Sequence, residues 1–264
     1  MDIASLIGLI LAFVLCIFGI TSDKGFGALI GFLDRDSALI TFGGAFSAVL
    51  IMQPSIQTFI ANLKSFALIL KPVAVNEEET IRKIIELSNI ARKEGLLALE
   101  EASNSIDDPF LKKGVMLIVD GTDPELVRNI LETELNCIDE RHKTVSGFWE
   151  NLASMGPAWG MIGTLIGLIN MLGDLNDIST VGPNMAIALI TTLYGSLLAN
   201  YICTPCANKL KSNNSMEITS KEVMIEGLLS IQAGENPRVI EEKLKSFLSP
   251  KKREELMPSE GGEA

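Results

Sequence analysis

Asn151 to Gly173 reads NLASMGPAWGMIGTLIGLINMLG and holds no Asp, Glu, Lys, Arg or His. A helix rising 1.5 Å per residue crosses a hydrocarbon layer of ~30 Å in about 20 predominantly apolar residues, and this stretch is long enough. Three more stretches share the property: Ile3 to Ser22, Ser37 to Leu63 and Ile178 to Asn208. All 33 acidic and 22 basic residues of the 264-residue chain lie outside them, with the single His. Whole-chain averages mix two solvents, so hydropathy by window decides the class. The sequence predicts an all-α, polytopic membrane protein with four transmembrane helices and a helical cytoplasmic domain. Its net charge of −11 belongs to the extramembrane parts and argues against nucleic acid as a partner, which would favour a basic patch.

The cations set the orientation. The short connections 23–36 and 174–177 hold only Lys24 and Arg35, whereas every other Lys and Arg lies in Lys64 to Glu150 or Lys209 to Ala264. Lys64, Lys71, Lys209 and Lys211 sit at or near span ends. The positive-inside rule then makes those two segments, and both termini, cytoplasmic. The expected organisation is a first transmembrane hairpin at 1–63, a cytoplasmic helical domain at 64–148, a second hairpin at 149–208, and C-terminal cytoplasmic helices with a tail at 209–264. The first segment begins Met1-Asp2, with no basic n-region or small-x-small cleavage site, so it reads as a retained span rather than a signal peptide.

Outside the membrane the periodicity is helical. Ile81, Ile84, Ile85, Leu87, Ile90, Leu96, Leu97 and Leu99 interleave with charge across Glu77 to Glu101, with a break expected at Gly95. Asp123-Pro124 is a helix start, and no Gly or Pro interrupts Glu125 to Ser146, so one rod through Trp149 into the third span is expected. Ser215 to Gln232 and Arg238 to Leu248 are further helices about a turn at Asn236-Pro237, and polar Pro250 to Ala264 is expected to be disordered.

Small residues fall on stripes in the last two spans. Gly156, Gly160, Gly163 and Gly167 recur at i, i+4, i+7, i+11, with Pro157 and Thr164 one position round. Ala188, Thr192, Gly195 and Ala199 repeat the spacing, with Pro205 beyond. Small residues let membrane helices approach closely, so these faces should meet protein, and packing is their plain reading. Pro157, Thr164, Thr192 and Pro205 add hydroxyls and locally freed carbonyls, oxygen donors suited to a cation or water. The spans have no charge of their own, so an ion moving along them would need a charged group from another chain.

These residues resemble the MotA/PomA family, the stator subunit of the bacterial flagellar motor within the MotA/TolQ/ExbB superfamily. The matching segments are Met155-Gly156-Pro157-Ala158-Trp159-Gly160-Met161-Ile162-Gly163-Thr164, Thr192-Leu193-Tyr194-Gly195 with Pro205, and Arg92-Lys93-Glu94-Gly95-Leu96-Leu97-Ala98-Leu99-Glu100. The resemblance covers nearly the whole chain. It implies a homo-oligomeric ring in the inner membrane, five copies around two MotB-like single-span chains, each bringing an Asp that binds and releases the ion. It also implies that Pro157, Thr164, Thr192 and Pro205 line the ion path and that Arg92, Lys93 and Glu100 engage the rotor protein FliG. Charge pairs suit a moving interface because they steer encounter without a slowly released apolar seam. Helix packing falls to Gly156, Gly160, Gly163, Gly167, Gly195 and Ala199.

Other motifs carry less. Cys203-Thr204-Pro205-Cys206 has redox spacing but sits at a membrane-helix end with no βαβ pattern. With only Cys16 and Cys137 besides, no zinc site or disulfide framework is expected, and His142 reads as a surface residue. The glycine run lacks the Gly-Lys-Ser/Thr of a phosphate loop. The chain therefore reads as a non-enzyme without cofactor, driven by an ion gradient. The expected ion is H⁺, with Na⁺ as the alternative, since hydroxyl and carbonyl oxygens suit either a hard cation or a proton-passing water. Two other readings stay open. An ExbB/TolQ-like envelope energiser typically has three spans with its large cytoplasmic segment after the first, unlike the order here. A noncatalytic scaffold would show no ion-dependent movement.

Overall fold

Inside a bilayer the backbone must satisfy its own hydrogen bonds, which favours helix throughout the charge-free stretches. The computed structural model describes residues 2–23, 25–71, 77–173, 176–248, 250 and 253, and no strand occurs among them. The chain divides into two compact units, Met1–Pro72 with His142–Ser212, and Val73–Arg141 with Asn213–Ala264.

In the first unit, α1 (Ile3–Thr21) starts at Asp2, whose carboxylate accepts from the Ala4 N–H at 3.1 Å and the Ser5 hydroxyl at 2.8 Å. No residue of α1 is buried, so its Ile, Leu and Phe side chains are available to lipid. Asp34 caps α2 (Arg35–Ile51) by accepting from the Ser37 N–H at 2.7 Å.

Ser37 to Leu63, expected as one span, is two helices. Pro54 has no N–H to donate and disfavours helical geometry at Gln53, so the helix stops. The Ser55 hydroxyl then accepts from the Thr58 N–H at 3.1 Å and starts α3 (Ile56–Leu70), which turns from α2 by 119°. α2 alone, about 25 Å long at 1.5 Å per residue, is close to a hydrocarbon thickness. Aromatic packing holds the inner face of α3. Phe59 lies edge-on to Phe148 at 5.6 Å, Phe66 lies 5.8 Å from Trp149, and the Trp149 Nε1–H donates to the buried Ser65 hydroxyl at 2.9 Å.

The second unit is built on α4 (Glu77–Glu94), α5 (Leu99–Ser103), α6 (Pro109–Val119), the first part of α7 (Pro124–Gly173), the last part of α8 (Ile178–Gln232) and α9 (Pro237–Lys245). Ile84, Leu87, Leu99, Val115, Leu131, Leu228 and Ile240 form its core. Gly114 lets α6 seat against Leu228, and Gly227 lets α8 seat against Ile84, since a Cβ at either would lie 2.3 or 2.6 Å from those side chains. Gly95 ends α4 at φ 89°, a left-handed backbone that an L side chain rarely adopts.

α7 is one helix of 50 residues, capped where the Asp123 carboxylate accepts from the Glu125 N–H at 2.9 Å and running through Trp149 to Gly173. α8 likewise runs past Asn208, so Ser215 to Gln232 continues it rather than forming a separate helix. Within α8 a π turn at Leu198–Cys203 precedes Pro205, and the Thr204 N–H reaches back to the Ala199 carbonyl. Proline cannot donate to the ordinary partner, and a widened turn relieves its ring's clash with the preceding one. Apart from Pro250 and Arg253, the expected disordered tail from Pro250 to Ala264 lies outside the described residues.

Candidate functional site

Within the first unit the small-residue stripes of α7 and α8 face each other. A Cβ on Gly156 would lie 2.8 Å from the Gly195 carbonyl oxygen, and one on Gly195 would lie 2.4 Å from the Gly156 oxygen. Gly160 is as close to the Thr191 oxygen, at 2.8 Å, Gly163 meets the Thr191 side chain, and Gly167 meets Ala188 and the Asn184 carbonyl. Ala199 is buried in the same face. Such backbone contact is possible only without side chains between the helices.

That approach brings Thr164 and Thr192 together. Their hydroxyl oxygens are 2.5 Å apart, and the Thr164 hydroxyl also lies 3.1 Å from the Gly160 carbonyl and 2.9 Å from the Ala188 carbonyl. The Thr192 hydroxyl is 3.4 Å from the same Ala188 oxygen. Each hydroxyl has one proton to donate, so one donates to the other across the two helices while the second donates to a carbonyl, which leaves hydroxyl lone pairs available. Thr192 is exposed and Thr164 half-buried, and Pro157 is exposed one face away on α7. The group is polar, neutral and bordered by apolar side chains that the chain itself leaves uncovered, among them Met161, Leu165 and Leu189.

Pro205 does not join this group. It lies thirteen residues beyond Thr192, about 20 Å along the helix axis. There it lines a separate cavity of about 310 Å³ with Gly8, Leu9, Tyr201 and Lys209. Arg92, Lys93 and Glu100 belong to the second unit. Arg92 and Lys93 occupy the last turn of α4 and Glu100 the first turn of α5, all exposed, on either side of the Gly95 turn. Each charge sits where the helix dipole favours its sign.

Two residues of this region carry no role in the sequence reading. Thr191, fully buried, packs its side chain on Gly163, methyl foremost, and its carbonyl accepts from the Thr41 hydroxyl of α2 at 3.3 Å. Tyr194 donates to the Phe32 carbonyl at 2.6 Å, accepts from the Asp34 N–H at 3.1 Å and stacks on Phe42 at 5.4 Å, tying α8 to the start of α2. A Tyr in an otherwise apolar span, one of two there with Tyr201, is the signal that marks the second, because a phenol in such surroundings usually finds a partner. Nothing in the spacing distinguishes Thr191 from Thr192.

The chain's relatives match it along nearly its whole length. The MotA/TolQ/ExbB proton channel family matches residues 102–223. The chain is 42% identical to Motility protein A of Borreliella burgdorferi, covering 100% of each. It belongs to the motility protein A family. To the chemotaxis protein PomA of Vibrio alginolyticus the MotA-family chain is 41% identical, over 96% of its own length and 98% of the relative's. The flagellar MotAB stator complex from Bacillus subtilis contains a chain of the same fold, with TM-score 0.87 and 34% identity, over 97% of this chain and 100% of that one.

Two ion pairs in the first unit fix lysines of the MotA-family chain that lie near span ends. Lys211 pairs with Glu150, and Lys209 lies 2.5 Å from the Asp2 carboxylate. The Lys209 ammonium, with the Ser5 hydroxyl, holds the Asp2 carboxyl down at about 2, from an ordinary 3.8. A depressed folded pKa stabilises the fold above the unfolded value, and that contribution disappears as pH falls through the folded one. Asp2→Asn is therefore expected to lower the thermal midpoint in detergent at pH 7. The gap from the unsubstituted chain should close as pH falls from about 4 towards 2. A gap that stays constant over that range would remove the carboxylate from the account.

Proposed function

We propose that this chain is a stator subunit of the bacterial flagellar motor: with a MotB-like single-span partner it forms an ion channel whose flow drives torque on the rotor protein FliG. The single observation that carries the reading is the full-length match in fold to the Bacillus subtilis stator chain. The neutral site supports it. A carboxylate at a helix centre costs at least ~2.5 to 3.5 kcal/mol, so the one charged group the ion needs is best brought by the partner, with Thr164 and Thr192 as the surrounding wall. Neutralising that carboxylate on ion binding changes its attraction for the wall, which lets a ring of this chain step around the partner. Five copies around two partner chains, with Arg92, Lys93 and Glu100 turned to the rotor, complete the proposal.

The cation asymmetry supports an inner-membrane topology with both termini in the cytoplasm. With Cys16 and Cys137 replaced by Ser, an exposed cysteine at Gly27→Cys should then react with a membrane-impermeant maleimide in intact cells, while Asn104→Cys reacts only after permeabilisation. The reverse pattern would invert the topology.

The ion proposed is the proton, in keeping with the description of the matched family as proton channels. One observation favours sodium as a second reading: the Thr164 and Thr192 hydroxyls and the Ala188 carbonyl bring three neutral oxygens into one cluster, a donor set suited to a hard cation. The test is swimming speed in cells lacking their own stator, supplied with this chain and its single-span partner, in medium with and without sodium. Restored swimming in both media supports the proton, and swimming that stops without sodium supports the second reading. No swimming despite membrane insertion and partner binding would turn the function towards an envelope energiser.

A further inference from the structure

The bend after α2 leaves a helix face uncovered. Ile56, Ile60, Lys64 and Leu68 recur every four residues along the outward side of α3 and are all exposed, with Lys71 following on. The opposite side, with Asn62, Ser65 and Ile69, is buried and held by Trp149 and the Phe59–Phe148 pair, so the outward face cannot roll inward. The stretch from Ser37 to Asn76 contains no acidic residue, and its only charges are Lys64 and Lys71.

The four lysines near span ends fall into two classes. Lys209 and Lys211 are neutralised by Asp2 and Glu150, whereas Lys64 and Lys71 have no ion pair among the described residues. A cation set into an apolar stripe is poorly served by a neutral protein surface and well served by the boundary of a bilayer. There the apolar side chains enter the acyl layer while the lysine stems extend to the headgroups. We propose that the outward face of α3 is a docking surface for anionic phospholipid, with Ile56, Ile60 and Leu68 in the acyl boundary and the Lys64 and Lys71 ammonium groups on headgroup phosphates. The assignment rests on the membrane-spanning reading of the chain and not on its motor function. The inner face of α3 carries Ser65, the partner of Trp149 in α7, so lipid bound outside bears on the helix that also carries Thr164.

The experiment is native mass spectrometry of the full chain, released from detergent supplied with equal phosphatidylglycerol and phosphatidylethanolamine. The expected result is retention of phosphatidylglycerol in preference, reduced about fivefold by Lys64→Gln or Lys71→Gln and abolished in the double variant. Lys112→Gln with Lys113→Gln, on α6, should leave the preference unchanged. An unaltered emission from the two tryptophans, Trp149 and Trp159, shows that the double variant is folded; if it is altered, Lys64→Arg with Lys71→Arg must restore both emission and preference. Equal retention of the two lipids by the unsubstituted chain would overturn the proposal. So would retention of phosphatidylglycerol by the folded double variant, or a chain-to-chain association lost in that variant with no change in bound lipid. None of these outcomes depends on swimming, so a failed motor reading leaves the result interpretable.

Discussion

Gly195→Val is expected to force α7 and α8 apart and to abolish assembly of a functional membrane domain. The contact at Gly195 is with backbone: a Cβ there would lie 2.4 Å from the Gly156 oxygen, 2.9 Å from its carbonyl carbon and 3.2 Å from the Pro157 Cα. A flexible side chain can swing away from such a clash, but a main-chain carbonyl moves only with its helix. Overpacking typically costs about 1–3 kcal/mol and more where backbone must shift, so Gly195→Ala should fall in that range and Gly195→Val at or beyond its upper end. The consequence extends past stability, because the same approach sets the 2.5 Å distance between Thr164 and Thr192. Gly8→Ala and Gly19→Ala provide the comparison, since a Cβ at either meets nothing within 4 Å. Thermal unfolding followed by tryptophan emission, with copurification of the single-span partner, reads both effects. A Gly195→Val chain that melts with the unsubstituted protein and still binds its partner would show that the helices do not cross at this point.

The sequence made the helices legible because a charge-free run long enough to span a bilayer has few other structures open to it. The cap at Asp123-Pro124 and the break at Gly95 were equally readable, each being a local matter of one carboxylate or one left-handed backbone. Pro54 was also visible, yet the Ser37 to Leu63 run reads as one span because hydropathy contains no direction; the 119° turn depends on the Ser55 cap and on the aromatic seat for α3. Facing was readable to within a residue and no better. The stripe containing Thr192 meets α7 at Gly195 and Ala188, but the buried side chain opposite Gly163 belongs to Thr191, and both angles fit a helix period of 3.6. Beyond Ala199 the extrapolation fails for a definite reason. The π turn at Leu198–Cys203 adds a residue to the winding, after which Cys203, Cys206 and Ala207 are buried and Pro205 is exposed. Long-range pairs such as Asp2 with Lys209 leave no periodic trace.

Thr164→Val is expected to remove motility while leaving the protein folded. Valine keeps the shape of threonine and deletes one hydroxyl that is only half-buried, so the stability change should stay within about 1 kcal/mol. The functional cost is larger because a hydrogen bond to a charged group is worth about 1.5–3 kcal/mol. Losing that much stabilisation of a passing ion slows its transfer by roughly tenfold to a hundredfold. Thr192→Val should behave alike, since its oxygen is 2.5 Å from that of Thr164 and shares the Ala188 carbonyl. On the proposed reading, in which the two hydroxyls act on one proton or one cation, the double variant should lose less than the sum of the single losses expressed as free energies, and Thr164→Ser should restore flow. Swimming speed and ion uptake by vesicles containing the chain and its partner measure the effect, with partner copurification as the folding control. Additive losses would place the hydroxyls in separate steps, and unimpaired uptake by Thr164→Val would take the ion path elsewhere. A serine rescue in which swimming returns only when sodium is present would further identify the cluster as a cation site, because a proton relay needs the hydroxyl but not the metal ion.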